Sequence, residues 1–240
     1  MVGSEPRRTP RSGTREMLKL EHVSKVYRAA GVDTLALDGL SLEVQRGEFL
    51  AVMGASGCGK STLLNILGLI DAPTSGAYWF MGEDVAGCPE EELTLLRRAA
   101  VGFVFQSFNL IDDLNVAENV ELALTYRRVP GAERRRRVTD ALERVDLAHC
   151  SKHMPKQLPG GHQQRVALAR ALVCNPKLVL ADEPTGNLDM ANATTVMEML
   201  SGVTRGGTTI VMATHSEVHA KRADRVVHML DGRLVDAEEV

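Results

Sequence analysis

Gly54, Gly59, Lys60 and Ser61 stand in the spacing G-x-x-x-x-G-K-S, inside the run FLAVMGASGCGKSTLLNILGL at residues 49–69. That spacing suits the holding of phosphate. Glycines let the backbone wrap closely, so successive N–H groups point inward at an anion, and the helix that follows adds its positive N-terminal end. Lys60 then reaches the β- and γ-phosphates of a nucleotide, and the Ser61 hydroxyl ligates Mg²⁺. The flanks are those the motif requires: strand-like residues 49–53 before it, and a helical pattern of Leu63, Leu64, Ile66, Leu67 and Leu69 after it. Cys58 lies within the loop, where backbone amides and Lys60 can lower a thiol pKa, although a tolerated small residue explains it as well.

A second group is acidic. Residues 178–181, Leu-Val-Leu-Ala, read as a buried strand that carries Asp182 and Glu183 to a sheet edge, where α/β folds bind their ligands. Side chains alternate along a strand, so the two acids are expected to point differently and do different work. Asp182 suits a Mg²⁺ shell and Glu183 suits polarising a water. Gln106, at the end of the apolar run 101–105, is another polar group placed where a buried strand stops.

The elements that must position these residues follow from hydrophobic period. Residues 17–44 alternate, with Leu18, Leu20, Leu40, Leu42 and Val44 against Lys19, Glu21, Ser41 and Glu43, which predicts antiparallel strands with Tyr27 between them. A strand at 77–81, a helix at 89–98 and the strand 101–105 come next. Two helices are expected between 116 and 147, broken by VPGA at 129–132, and a third follows QLPGGHQQR at 157–165 and stops at Asn175 and Pro176. The all-helical character of 107–165 predicts an inserted helical subdomain. Beyond it, strand 178–181, helix 193–200, strand 208–213, a short helix near 217–222 and strand 225–229 imply a mostly parallel sheet covered on both faces.

Composition sets the outer bounds. A chain of 240 residues buries a full core, and no apolar run approaches the length that crosses a bilayer. Residues 1–16 are rich in Pro, Gly, Ser and Arg without an apolar core, so they are expected to be a disordered tail and no secretory signal, leaving 17–240 as the folded unit. The formal net charge of −3 argues against a nucleic-acid-coating surface. Arg134, Arg135, Arg136 and Arg137 stand on a helix whose apolar stripe is Val138, Leu142, Val145 and Leu147, so they are read as a solvated face. Cys58, Cys88, Cys150 and Cys174 form no C-x-x-C pair, which points to neither a disulfide framework nor a zinc site and implies the cytosol.

With these residues in place, the chain resembles the nucleotide-binding subunit of an ATP-binding cassette (ABC) transporter, over residues 17–231. The resemblance implies an α/β P-loop NTPase of RecA-like type, a parallel-sheet core with an antiparallel β-subdomain and the inserted helical subdomain. It implies that Tyr27 stacks on adenine. Gly54, Ala55, Ser56, Gly57, Cys58, Gly59, Lys60, Ser61 and Thr62 become the phosphate loop, and Gln106 the glutamine joining Mg²⁺ and the attacking water to the helical subdomain. Gly160 and Gly161 become the signature segment, Gly186 to Asp189 (GNLD) the loop crossing to the partner subunit, and His215 the histidine at the γ-phosphate. The implied metal set is Ser61, Gln106 and Asp182, and the implied catalytic set Glu183, His215, Gln106 and Lys60.

GASGCGKSTLLNILGLIDAPTSG, FVFQSFNLIDDLNVAENVELAL and LADEPTGNLD are most similar to the subgroup that powers lipoprotein release, macrolide efflux and cell-division complexes. Its implied partners are MgATP, a second copy of the chain and an integral membrane permease with few spanning helices and a large extracytoplasmic domain, with the ATPase on the inner face of the membrane and no nucleic acid involved. Phe108, Leu110, Ile111 and Leu114 are the expected docking residues.

One departure stands out: where the family usually reads Leu-Ser-Gly-Gly-Gln, this chain has Leu158-Pro159-Gly160-Gly161-His162. Pro159 brings neither a hydroxyl nor an N–H to a γ-phosphate, and losing one charge-assisted hydrogen bond costs about 1.5–3 kcal/mol. Hydrolysis coupled to transport is the expected activity. The alternatives are a nucleotide-gated regulatory module that scarcely hydrolyses ATP, or a soluble ABC ATPase of DNA repair or translation. The latter is disfavoured because no coiled-coil insertion, second cassette or strongly basic surface is present.

Overall fold

The structure is a computed structural model that describes residues 15–29 and 32–236. Residues 1–14 of the expected tail lie outside the described residues. The chain runs β1 (Glu16–Ala29), β2 (Val32–Gln45), β3 (Phe49–Met53), α1 (Lys60–Leu67), β4 (Ser75–Phe80), β5 (Glu83–Asp84), α2 (Glu90–Ala100), β6 (Val101–Phe105), α3 (Val116–Tyr126) and α4 (Gly131–Arg144). Two short 3-10 turns lead to α5 (Gly160–Leu172), followed by β7 (Leu178–Asp182), α6 (Met190–Arg205), β8 (Thr209–Thr214), α7 (Glu217–Ala220), β9 (Arg225–Leu230) and β10 (Arg233–Val235).

Two sheets result. The first has the order β2-β1-β4-β5 and is antiparallel. In β2 the predicted alternation is visible as burial: Leu40, Leu42 and Val44 face the core while Ser41 and Glu43 face water. Strand β1 takes in Glu16, which pairs with Gln45, and the Arg15 carbonyl accepts the Arg46 N–H at 2.8 Å. Residues 15 and 16 thus belong to the sheet, because the backbone ladder runs past the point where side-chain alternation stops.

The second sheet has the order β10-β9-β3-β8-β7-β6. Its β9, β3, β8, β7 and β6 are parallel, and only β10 turns back. The central strands are unbroken apolar runs because helices cover both faces. On one face Leu50, Val52, Leu178, Leu180, Val211 and Ala213 pack with Leu63, Ile66 and Leu67 of α1 and with the antiparallel sheet. On the other, Phe49, Ala51, Val179, Ala181, Ile210 and Met212 pack with α5 and α6.

Helices α3, α4 and α5 share a third cluster around Val120, Leu124, Leu142, Val166 and Ala169. Helix α5 belongs to both, since Leu168 and Ala171 enter the sheet cluster while Val166 and Ala169 enter the helical one. The arginine run behaves as a solvated face: Arg134 pairs with Glu121 at 2.7 Å, and Arg136 and Arg137 hold the Glu133 carboxyl down to about 2. Helix α6 starts at Met190, three residues earlier than its apolar stripe predicted, because the Asp189 side chain caps it. Among the described residues, no helix is long and apolar enough to cross a membrane.

Candidate functional site

Register decides where the polar groups meet. Met53 pairs with Thr214, Ala213 with Asp182, and Asp182 with Phe105, so β3, β8, β7 and β6 end level with one another. The next residues in the chain are Gly54, His215, Glu183 and Gln106. Four separate segments are thus delivered to one carboxyl edge of a parallel sheet, the edge at which such sheets bind ligands.

The loop between β3 and α1 is built as a cradle. Gly57 (φ 84°) and Gly59 (φ 107°) take left-handed conformations that other residues adopt at a cost. A Cβ on Gly54 would lie 2.3 Å from the Met229 carbonyl and 2.7 Å from the Cys58 sulfur. Cys58 is buried beneath the loop with its sulfur 4.0 Å from Lys60 Nζ, and its carbonyl accepts the Gly232 N–H. Ala55, Ser56, Gly57 and Ser61 stay exposed on the rim. Lys60 is buried, and its ammonium donates to the carbonyls of Gly54 and Ala55 at 2.8 Å each. The charge is thereby kept folded against the loop it serves.

Asp182 is the last residue of β7, and Glu183 steps off the strand at φ 45°. Strand alternation was expected to separate the two acids; the chain instead leaves the strand in a left-handed turn at Glu183. The Glu183 N–H donates to the Ala213 carbonyl and its own carbonyl accepts the Gly186 N–H, both at 3.0 Å. Its carboxylate Oε1 lies 2.8 Å from His215 Nδ1, with Glu183 largely shielded and His215 open to solvent. Gln106 is tied to the same turn, since Asn187 Nδ2 donates to its carbonyl at 3.1 Å. A Cβ on Gly186 would meet the Gln106 amide at 2.8 Å.

Two residues that no motif signalled also hold this turn. His219 Nδ1 lies 2.8 Å from the buried Thr185 hydroxyl, and burial, helped by the Arg222 charge, lowers its pKa. Gln164, completely buried in α5, donates to the Pro184 carbonyl at 2.6 Å. Only burial reveals them.

Tyr27 lies within β1, opposite Thr34, and its phenol donates to Asp71 Oδ2 at 2.9 Å. Burial raises the phenol pKa, while the Thr62 hydroxyl of the phosphate-loop helix acts to lower it. Lys25 sits 5.0 Å from the ring centroid and pairs with Asp71, covering one ring face. Tyr27 remains 40% exposed, which suits the stacking of a flat base beside the loop.

Gly160 and Gly161 lie at the start of α5 behind Pro159, and no side chain caps that N-terminus. A Cβ on Gly160 would lie 3.6 Å from the Phe108 ring, and one on Gly161 2.1 Å from Asn192 Oδ1. These glycines therefore pack against Phe108, Asn187 and Asn192. Burial, with Arg165 and His149 nearby, lowers the His162 pKa. Asp189 is occupied locally: it accepts from the Asn192 N–H at 2.9 Å and from Asn192 Nδ2 at 2.8 Å. The expected nucleotide contact at Asp189 is thus, within the chain, a helix cap.

Ser61, Gln106 and Asp182 provide a hydroxyl, an amide carbonyl and a carboxylate, all hard oxygen donors. Among the described residues there is no cluster of three or more His, Cys, Asp or Glu side chains fit to hold a metal. So sparse a set fits Mg²⁺, which keeps waters and takes phosphate oxygens, and does not fit an ion needing a full protein cage.

A family profile described as "ABC transporter" matches residues 37–186. Over 219 residues the chain is 46% identical to the macrolide export ATP-binding/permease protein MacB of Azoarcus sp. strain BH72, covering 91% of this chain and 33% of that protein. It thus spans about a third of the length of the MacB relatives it matches. An ABC transporter ATP-binding protein of Methanocaldococcus jannaschii, named as uncharacterised, is 44% identical over 92% of this chain and 98% of its own length. Among solved structures, the dimeric structure of MJ0796, titled a bacterial ABC transporter cassette, superposes with a TM-score of 0.86 at 41% identity, covering 92% of this chain and 97% of that one. A second structure of that cassette, titled a dimeric post-hydrolysis state bound to ADP and Pi, gives the same TM-score at 40% identity.

Proposed function

We propose that this chain, which belongs to the ABC transporter family, hydrolyses ATP, and that two copies close around two MgATP to drive an integral membrane permease. The observation that carries this reading is the level ending of β3, β8, β7 and β6, which puts the phosphate loop, His215, Glu183 and Gln106 on one edge. Dimeric cassettes among the solved neighbours support the pairing. Each nucleotide lies between one copy's phosphate loop and the other copy's Gly160–Gly161 helix end, which no side chain caps.

In the reaction a water oxygen bonds to the γ-phosphorus as the bond to the β–γ bridging oxygen breaks, releasing ADP and inorganic phosphate. Glu183 takes the water proton. His215 holds the carboxylate through Nδ1 and faces the phosphoryl group with the rest of its exposed ring. Lys60 exchanges the Gly54 and Ala55 carbonyls for phosphate oxygens, and backbone N–H groups of residues 54–62 complete the cradle. Ser61, Gln106 and Asp182 would hold Mg²⁺, which would supply positive charge against the phosphates. Tyr27 stacks on the adenine.

For the permease we propose the type with few spanning helices and a large extracytoplasmic domain, placing the cassette on the inner face of the membrane; the MacB relatives, named as fused ATP-binding/permease proteins, support a permease partner. A groove of about 640 Å³ between the sheet and the helical layer, lined by Phe103, Phe105, Asn109 and Tyr126, is its dock. Of the expected docking residues, Phe108 packs toward Gly160 and Leu110 packs on the helical cluster, which leaves Ile111 as the exposed one. Tyr126→Glu, which places a charge in the groove, and Ile111→Glu, which places one on the exposed loop beyond its lining, are each expected to lower permease recovery from solubilised membranes at least about tenfold. Unchanged recovery with Tyr126→Glu would remove this groove from the interface, and unchanged recovery with Ile111→Glu would remove the loop.

Pro159 favours a second reading, a nucleotide-gated module with feeble hydrolysis. Restoring the hydroxyl by Pro159→Ser separates them. A competent native site gains less than about threefold in turnover, because Gly160, Gly161 and the helix end already bind the anion. A gain of about 10- to 100-fold, the worth of one charge-assisted hydrogen bond, would instead establish the gated module.

A further inference from the structure

We infer that Gln164 is a positioning residue that couples the two nucleotide sites of the dimer, by joining the helix that meets the partner's nucleotide to the turn that carries its own Glu183. The inference rests on the dimer reading above.

Gln164 is 0% exposed, yet it is an amide. Its Nε2 donates to the Pro184 carbonyl at 2.6 Å, and that carbonyl can only accept, so the amide orientation is set by chemistry. Its Oε1 has no hydrogen-bond partner among the described residues. An amide buried with its oxygen unpaired is a costly way to fill space, and an apolar side chain of the same size avoids that cost. What the amide provides is the one bond to Pro184.

That bond lands on a turn whose geometry matters. Glu183 is a non-glycine residue at φ 45°, a conformation that persists only where surroundings impose it. Its turn is anchored by the Ala213 carbonyl from β8, by His219 from α7 acting on Thr185, and by Asn187 with Gln106 from the end of β6. All of these come from the chain's own sheet edge or the helix beside it. The bond from Gln164 alone comes from α5, one turn after Gly160 and Gly161.

Helix α5 is rigidly placed to transmit such a contact. Gly161 is pressed on Asn192, with no room for a Cβ, and Asn192 is fixed in turn by Asp189. The helix is also packed into both the sheet cluster and the helical cluster. When its N-terminus is drawn to a phosphate across the dimer, Pro184 moves with it, and Glu183 is brought to its water. Engagement in one site thus completes the other.

The test uses the full chain with Gln164→Met, which keeps the volume, and Gln164→Glu, which keeps the shape and replaces the donor by an acceptor. Phosphate release is measured against MgATP concentration, and ATP-driven dimerisation is measured by size exclusion for each variant combined with Glu183→Gln. The expected result is a parent Hill coefficient approaching two that falls to about one in the variants, with kcat about 10- to 100-fold lower, the cost of a misplaced reacting group. The ATP concentration for half-dimerisation should stay within about threefold of the parent, a separation of kcat from association that a packing role does not produce. The inference is overturned by a parent that hydrolyses without cooperativity, by variants with parental kcat and Hill coefficient, or by variants whose dimerisation and melting temperature fall together with kcat. A parent that neither hydrolyses ATP nor dimerises with it strikes the dimer reading itself, whereas an active parent with an indifferent Gln164→Met strikes this inference alone.

Discussion

Replacing Glu183 by glutamine is expected to reduce ATP turnover about 10²- to 10³-fold while leaving ATP binding within about threefold, so that an ATP-held dimer accumulates. The change is small in shape. Glutamine fits the largely shielded position, tolerates the turn as well as glutamate does, and can still accept a hydrogen bond from His215 Nδ1 through its amide oxygen. What it loses is basicity, and with it the ability to take a proton from water as the γ-phosphoryl group departs. Removing a general base of this kind costs two to four orders of magnitude. Phosphate release and the dimer fraction on size exclusion, measured side by side, separate chemistry from association. Turnover at the parental rate would show that the base lies elsewhere, with His215 as the next candidate to be replaced.

The residues that the strands deliver to the sheet edge were legible in the sequence because each is announced by its own neighbours. Lys60 follows a glycine pattern with a backbone reason, and Gln106 and Asp182 each end an apolar run whose length marks a buried strand. Parallel order could be read from the alternation of strand and helix patterns, and it is what makes the strand ends coincide. The residues that support the site were not legible. Gln164 and His219 carry no spacing signal, since their partners, Pro184 and Thr185, lie 20 and 34 positions away in the chain. Capping preference was the overlooked signal for the start of α6: an aspartate three residues before Asn192, ahead of an apolar stripe, is a helix start. The edge strand β10 was missed for a related reason, as three residues are too few to show a period.

Lys60→Met is expected to weaken MgATP binding about 10²- to 10³-fold and to abolish turnover, while the nucleotide-free protein keeps its melting temperature within a few degrees. The two halves of this expectation have separate causes. The ammonium is buried without a carboxylate partner and is held by two neutral carbonyls, Gly54 and Ala55, at 2.8 Å. Methionine keeps much of the apolar stem and removes a charge whose burial is costly, and the carbonyl of exposed Ala55 has water to turn to. The folded state therefore loses little. Bound nucleotide loses a cation placed against its terminal phosphates, and two charge-assisted hydrogen bonds at about 1.5–3 kcal/mol each, partly offset by water, account for a loss of two to three orders of magnitude. Thermal melting with and without saturating MgATP reads both at once. The parent should be stabilised according to its occupancy and the variant should not. Equal stabilisation of the two by MgATP would mean that Lys60 stays on its carbonyls in the bound state, and that the backbone cradle alone holds the phosphates.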